Sequence, residues 1–244
     1  MSFSWRRVTA IVGKELRDYR HNRAIILTMG VLPAIFVVLP IVQLFTISTA
    51  TTSTKLDTRI GLSLLYMLII PAMVPSALAA YSVVGEREQG TLEPILATPI
   101  RSEEFLLGKA LAALLPALVI AYTVFGVFLG CAALFAHPVV SSAVFKSSHL
   151  VVQMLFTPLL AGWSIWVGVA ISTRSSDVRV AQQLAILASF PPLALLALMS
   201  LNVIKPTLPL ALGLAAGLLV IDGGGWRIVA VTFNRERLVT GRRA

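Results

Sequence analysis

The chain has 244 residues, of which 57% are hydrophobic and 13% charged, and its mean hydropathy is +0.87. A soluble domain carries about 25% charged residues, so this composition argues against a water-solvated fold and for a lipid-solvated one. A net charge of +9 invites a nucleic-acid reading, whereas a single cysteine, Cys131, and three scattered histidines, His21, His137 and His149, exclude a disulfide framework within the chain and a multi-cysteine metal site.

The first 22 residues predict a basic amphipathic helix. Trp5, Val8, Val12, Leu16 and Tyr19 recur at spacings of 3, 4, 4 and 3, which places them on one helical face. Arg6, Arg7, Lys14, Arg17, Asp18 and Arg20 cover much of the remainder. Trp and Tyr on a basic helix suit a membrane interface, although a helix packed on a soluble partner would carry the same stripe. The helix leads straight into an apolar run, so lipid contact is the reading adopted.

Low-charge runs then follow one another. Ala24–Ile47, Ile60–Val84, Phe105–Ala136, His149–Thr173 and Val180–Leu201 contain one charged residue between them, Lys109. Each exceeds the roughly 20 residues that cross a bilayer at about 1.5 Å per residue. A sixth run begins near Pro206 and ends either at Ile221 or, through "DGGGWRIVAVTF", at Phe233. The longer form is expected, and it puts Asp222 inside the membrane region. The first run is too long, and too far from the first residue, for a secretory signal. Ser48–Arg59 and His137–Ser148 are too short for an external domain.

Six spans put both termini on one side. If that side is the cytoplasm, 16 of the 20 basic residues lie on inner segments, and only Lys55, Arg59, Lys146 and Lys205 lie outside. This is the positive-inside pattern. The positive charge is therefore topological, no nucleic-acid partner is expected, and residues 234–244 form a cytoplasmic tail.

The spans offer little chemistry. "GKA" at Gly108–Ala110 has Glu103 where a phosphate-binding loop needs its first glycine and Ala110 where it needs Ser or Thr. Glu103 and Glu104 have no His at helical spacing; Ser102 is the expected cap of the third span, with both glutamates facing its positive end. Cys131 reads as a small packing residue. Ion-coupled carriers need ionisable groups within their spans, and only Asp222 is a candidate here. Energy for uphill transport is thus expected to enter from outside the bilayer. Gln43, Tyr66, Tyr122, Gln153 and Trp163 are polar groups that either line a path through the spans or join helices by hydrogen bonds.

Between the second and third runs lies "GEREQGTLEPILATP", Gly85 to Pro99. Gly90 can turn the chain, Thr91 is a suitable N-cap, and Pro94 falls in a first turn where its missing N–H matters least. Leu92, Ile95 and Leu96 form a small apolar face, and Thr98-Pro99 stops the helix. A helix of under two turns is unstable alone. It leans on the membrane surface or on another protein, with Glu86, Arg87, Glu88 and Glu93 along its outward edge. The residues by themselves leave a solvated loop and a docking element equally open.

"VVGEREQGTLEPILATPIRSEEFLLGKAL", Val83 to Leu111, resembles the signature between spans two and three of ABC-2 type transporter permeases, roughly E-[RK]-E-x-G-T-L-E-x-L-L-x-T-P followed by G-K. Glu86, Arg87, Glu88, Gly90, Thr91, Leu92, Glu93, Leu96, Thr98, Pro99, Gly108 and Lys109 match it, with Ile95 in place of a Leu. "VGKELRDYRHNR" (Val12–Arg23) is similar to the family's elbow helix, "STRSSDVRVAQQL" (Ser172–Leu184) to its loop between spans four and five, and "FNRERLVTG" (Phe233–Gly241) to its tail.

The resemblance implies an all-α membrane protein of the ABC-2 (type V exporter-like) fold. An elbow helix over 1–22 would precede six transmembrane helices in one domain. It further implies a half-transporter that pairs with a second permease subunit, identical or not, in a prokaryotic cell (inner) membrane. A separate ABC ATPase would bind ATP and Mg and dock on a coupling helix within 86–99; this chain would have no cofactor, metal or enzymatic activity of its own. The expected cargo is an apolar or amphipathic solute, such as a drug or lipid. A non-transporting scaffold or sensor that holds an ATPase through the same loop is the alternative. The short turn at 202–206 departs from the family's larger external hairpin.

Overall fold

A computed structural model describes residues 3–47, 53–91, 100–201, 203–204 and 207–233. All regular structure among them is helical: α1 (Trp5–His21), α2 (Arg23–Thr46), α3 (Ser53–Glu88), α4 (Ser102–Phe135), α5 (Pro138–Val144), α6 (Ser147–Ser172), α7 (Val178–Ala188), α8 (Phe190–Ser200) and α9 (Leu208–Thr232). Six stretches are long and apolar enough to span a bilayer, with α7 and α8 together forming the fifth. The expected tail, 234–244, lies outside the described residues.

Local chemistry explains where these helices depart from the apolar runs. The fifth span breaks at Ser189 because Pro191 and Pro192 follow, and a proline cannot continue the ladder behind it. Ser189 closes the first half by donating its N–H to the Ile186 carbonyl (3.0 Å) and its hydroxyl to the Ala185 carbonyl (2.9 Å). The sixth span, α9, runs through to Thr232, so Asp222 does lie within it. Residues 138–144, expected as plain loop, form α5, a helix started by Pro138 and held down by buried Val140, Ala143 and Val144.

α3 is the hub. It packs most extensively against α6 and also touches α2, α4, α7 and α8. Small residues make that closeness possible: a Cβ added at Gly168 of α6 would lie 2.8 Å from the Ala79 Cβ and 3.0 Å from the Ser76 carbonyl oxygen of α3. α2 instead turns Leu27, Val31, Ile35, Val38, Val42 and Phe45 outward. An apolar face of that extent is at home only against lipid or another apolar surface. α1, the C-terminus of α3 and the N-terminus of α4 meet at one end of the bundle, hereafter the basic end.

Candidate functional site

The last turn of α3 ends in a tight, hydrogen-bonded stop. Gly90 has φ +67°, a left-handed conformation natural to glycine. The Thr91 N–H donates to the Glu86 carbonyl (2.9 Å) and the Gly90 N–H to the Arg87 carbonyl (3.1 Å), the paired bonds of a Schellman motif. Thr91, expected as the N-cap of a following helix whose residues lie outside the described ones, here closes the preceding helix, and its hydroxyl donates to the same Glu86 carbonyl (3.3 Å). Leu92, Glu93, Leu96, Thr98 and Pro99 lie outside the described residues.

Glu86 is not on an outward edge. It is 6% exposed and its carboxylate pairs with two lysines from two other helices, Lys14 of α1 and Lys109 of α4, the latter at 2.9 Å. Lys109 also donates to Glu15 Oε1 (2.9 Å) and to the Ser82 carbonyl (2.6 Å), and its ammonium lies 5.0 Å from the Phe105 ring centroid. Lys14 completes the ring through Glu15 (3.1 Å) and Asp18 (3.0 Å). The Lys109–Glu86 contact is an ion pair without hydrogen-bond alignment, since Glu86 Oε2 accepts no bond. The core of the cluster is balanced, two lysines against two glutamates, which is what lets it be buried.

Charge and burial pull against one another here. For Glu15, burial favours the neutral acid, but Lys109 and Lys14 outweigh it and hold the carboxyl below its ordinary value. For Lys14, burial lowers the pKa, and Glu15 and Glu86 more than reverse this, so the ammonium is held above its usual range. Tyr19, buried beside them, is raised well above an ordinary phenol by burial and then by the Glu15, Glu86 and Asp18 charges, and so keeps its proton.

Arg87 and Glu88 face the other way, onto the turn between α6 and α7. Arg87 donates to the carbonyls of Ser175 (3.0 Å) and Thr173 (3.4 Å), and Glu88 accepts the Val178 N–H (3.0 Å) at the start of α7. Asp177 caps the same helix by accepting from the Val180 N–H (3.0 Å). One turn earlier, the Ser172 hydroxyl is inserted into the ladder of α3. It accepts from the N–H groups of Val83 (3.2 Å) and Val84 (3.0 Å) and donates to the Ala80 carbonyl (2.6 Å). A side chain inserted this way is one of the recognised causes of a helix bend.

α1 is held by its own devices. Its inward face is Val8, Ile11, Glu15 and Tyr19, offset from the expected stripe: Val12 and Leu16 are half-buried and Trp5 is exposed, stacked edge-on with Phe3 at 5.4 Å. A Cβ added at Gly108 would come within 2.7 Å of the Ile11 Cβ, so that glycine is where α1 seats on α4. The buried Glu104 carboxylate accepts the Ser4 N–H (2.7 Å) and the Arg101 N–H (3.0 Å) and pairs with Arg7 (3.0 Å). It therefore caps the N-termini of α1 and α4 at once. Ser102, the expected cap, is instead the first residue inside α4, with Arg101 at the N-cap, and Glu103 is exposed.

The polar span residues are dispersed. Gln43 Oε1 accepts from Ser63 (2.6 Å), Tyr122 donates to the Met154 carbonyl (3.2 Å) and Trp163 to the Ala188 carbonyl (3.0 Å), all between helices. Tyr66 is half-buried on α3. Gln153 is buried at a cavity near the other end of the bundle. Asp222 Oδ1 accepts from Trp166 (3.1 Å) across α6 and α9.

Sequence reasoning missed Lys14, Glu15 and Ser172 as parts of this site and left Lys109 without a partner. One signal pointed to Glu15: it continues the helical spacing of Ile11 and Tyr19, where a charge is out of place unless paired. No curated protein matches the chain. The profile of the ABC-2 family transporter proteins matches residues 9–217, most of its 244 residues. The chain belongs to that family: it is a multi-pass membrane permease subunit of an ABC transporter.

Proposed function

We propose that this ABC-2 permease exports an apolar or amphipathic solute and is driven by a separate ATPase subunit that docks on the loop at 86–99. The observation that carries the reading is the anchoring of Glu86, the buried first residue of that stretch, to α1 and α4 through two lysines. A push on the loop reaches three helices together, because moving Glu86 alone would strand a buried charge. Arg87 and Glu88 extend the same connection to the α6–α7 turn. The Ser172 hydroxyl, bonded to the N–H groups of Val83 and Val84, ties the same stretch of α3 to α6.

In this reading the basic end faces the cytoplasm, as the charge count favours, and both termini lie there. α1 lies along the inner surface of a prokaryotic cell membrane, its exposed Phe3–Trp5 pair at headgroup level. A second permease subunit covers part of the exposed apolar surface. ATP and Mg are bound by the ATPase, whose closure on nucleotide delivers the push. Co-purification with the ATPase and flux in proteoliposomes test this. Leu96→Asp or Glu93→Lys should weaken ATPase association at least tenfold and abolish ATP-driven flux while leaving the melting temperature in place. Intact association and flux in both variants would overturn it. Intact association in the unmodified protein with no flux of any apolar solute would instead make the chain a scaffold.

A further inference from the structure

Deep in the spans stands one carboxyl group, that of Asp222 in α9. At about 1.5 Å per residue it lies about 15 Å along the helix from Thr232 and about 21 Å from Leu208, within a hydrocarbon layer about 30 Å thick. The other charged side chains of the described spans fall nearer a helix end. A charge at that depth is costly unless it meets an opposite one. Among the described residues no basic side chain pairs with Asp222; Arg227, five residues on, lies about 140° round the helix and is exposed.

The carboxylate is held in place by one oxygen and open at the other. Oδ1 accepts the indole N–H of Trp166 from α6 (3.1 Å), and the Trp166 ring is seated in turn on Gly225, where an added Cβ would come within 2.5 Å of it. Among the described residues Oδ2 accepts no hydrogen bond. It is not sealed off either: Asp222 is half-buried, and this oxygen still meets the surface of the protein. Two glycines leave space beside it. A Cβ added at Gly162 of α6 would lie 3.1 Å from Oδ2, and one added at Gly223 would meet nothing within 4 Å. Trp163 and Trp166, edge-on at 5.1 Å, are both half-buried and present indole surface along the same turn of α6.

These features select one class of cation. A metal ion takes several ligands, and among the described residues no group of three His, Cys, Asp or Glu side chains could hold one. An organic ammonium ion needs a single carboxylate oxygen for its N–H, and aromatic faces attract it as well. We propose that Asp222 binds the ammonium group of a lipophilic amine, which arrives from the bilayer and donates an N–H to Oδ2. Its alkyl chain stays among the lipid-facing side chains of α9, the exposed Leu219 among them. Trp166 is a positioning residue that aims the carboxylate. The site narrows the exporter reading to amphipathic amines and rests on that reading only for the fate of the bound amine; occupancy needs no nucleotide.

The test uses the full chain, without ATP, in nanodiscs of phosphatidylcholine, a lipid whose ammonium has no N–H to donate. Dodecylamine with a diazirine beside the nitrogen is compared with the matching dodecanol, each normalised to its labelling of the lipid-facing stretch 27–45. The amine should label peptides spanning 159–166 and 219–226 about tenfold more than the alcohol does, and excess dodecylamine should displace it. Asp222→Asn keeps an acceptor for Trp166 and should bring amine labelling down to the level of the alcohol. Gly162→Ala, which sets a methyl against Oδ2, should lower amine labelling and leave the alcohol unchanged. If Asp222→Asn does not fold, the amine-over-alcohol ratio and Gly162→Ala still decide the matter. Replacing about half the lipid by phosphatidylethanolamine identifies the source: labelling that persists assigns the site to a free amine, and labelling that is lost assigns it to the membrane's own lipid ammonium. Equal labelling by both probes in the unmodified protein would overturn the proposal, and is the result expected if the carboxyl stays neutral or is already paired with a second subunit. Amine labelling unchanged by Asp222→Asn or by Gly162→Ala would overturn it too. Flux failing for every solute while labelling succeeds removes the exporter reading alone, and flux of a neutral solute without amine labelling removes only this site.

Discussion

The two ends of α3 are held by opposite means. At Glu86 a ring of two lysines and two glutamates, three of the four nearly inaccessible to solvent, joins three helices. At Asp57 a single pair with Lys146, its side chains 39% and 47% exposed, sits at the mouth of a cavity. A buried cluster cannot lose one member without stranding another's charge, whereas an exposed pair exchanges readily with water. A helix clamped at one end and loosely bordered at the other transmits motion where it is clamped and yields where it is not.

The largest expected effect breaks that contrast directly. Lys109→Met leaves Glu15 and Glu86 sharing only Lys14, and should cost about 3–5 kcal/mol, read as a large drop in melting temperature in nanodiscs. Lys146→Met at the other end should cost about 0–1 kcal/mol. Adding Glu15→Gln and Glu86→Gln to Lys109→Met should recover part of the loss, because the stranded charges go with the lysine. Equal losses for the two lysine variants would end the comparison.

Smaller effects sharpen it. Gly168→Ala forces a methyl against Ala79 and the Ser76 carbonyl and should cost about 1–3 kcal/mol. Gly213→Ala, with nothing within 4 Å, should be neutral or slightly stabilising, so the pair separates packing from helix propensity. Gly90→Ala demands a left-handed alanine and should cost about 1–2 kcal/mol. Its effect should fall more on ATPase coupling than on melting, because the strain is confined to the end of α3.

What could be read from the sequence follows the range of the physics involved. Helix periods and apolar lengths are local, so α1, the six spans and the full extent of α9 were legible before any coordinates. The clasp was not. Glu15 meets Lys109 across 94 residues, and Ser172 reaches Val84 across 88, distances over which no spacing rule operates. The amphipathic stripe was misplaced for a related reason. Glu15 occupies the centre of the buried face, and a carboxylate there shifts the apparent apolar stripe toward Val12 and Leu16. Glu86 was expected outward because a charge beside a span usually seeks water, and only its two distant lysines reverse that. α5 escaped because seven residues carry too little periodicity to be told from a loop.

Acid titration probes the clamped end most gently. Glu15 has its folded-state pKa lowered from 4.5, so its contribution to stability is complete above that value and is lost as pH falls through the lower, folded one. Lys14 is shifted upward from 10.5, so its contribution is complete at neutral pH and declines only in strong alkali. Between about pH 6 and 9 these two groups should leave stability flat. Glu15→Gln should therefore melt below the unmodified protein at pH 7, and the gap should narrow below pH 4.5 as the unmodified carboxyl takes up its proton. Asp57→Asn, at the loosely held end, should change melting at pH 7 by about 1 kcal/mol or less, since an exposed pair with Lys146 gains little from folding. A gap for Glu15→Gln that stayed constant from pH 7 down to 3.5 would mean that its charge is not what fastens α1 to α3 and α4, and the clamp would have to be assigned to packing at Gly108 and Ile11 instead.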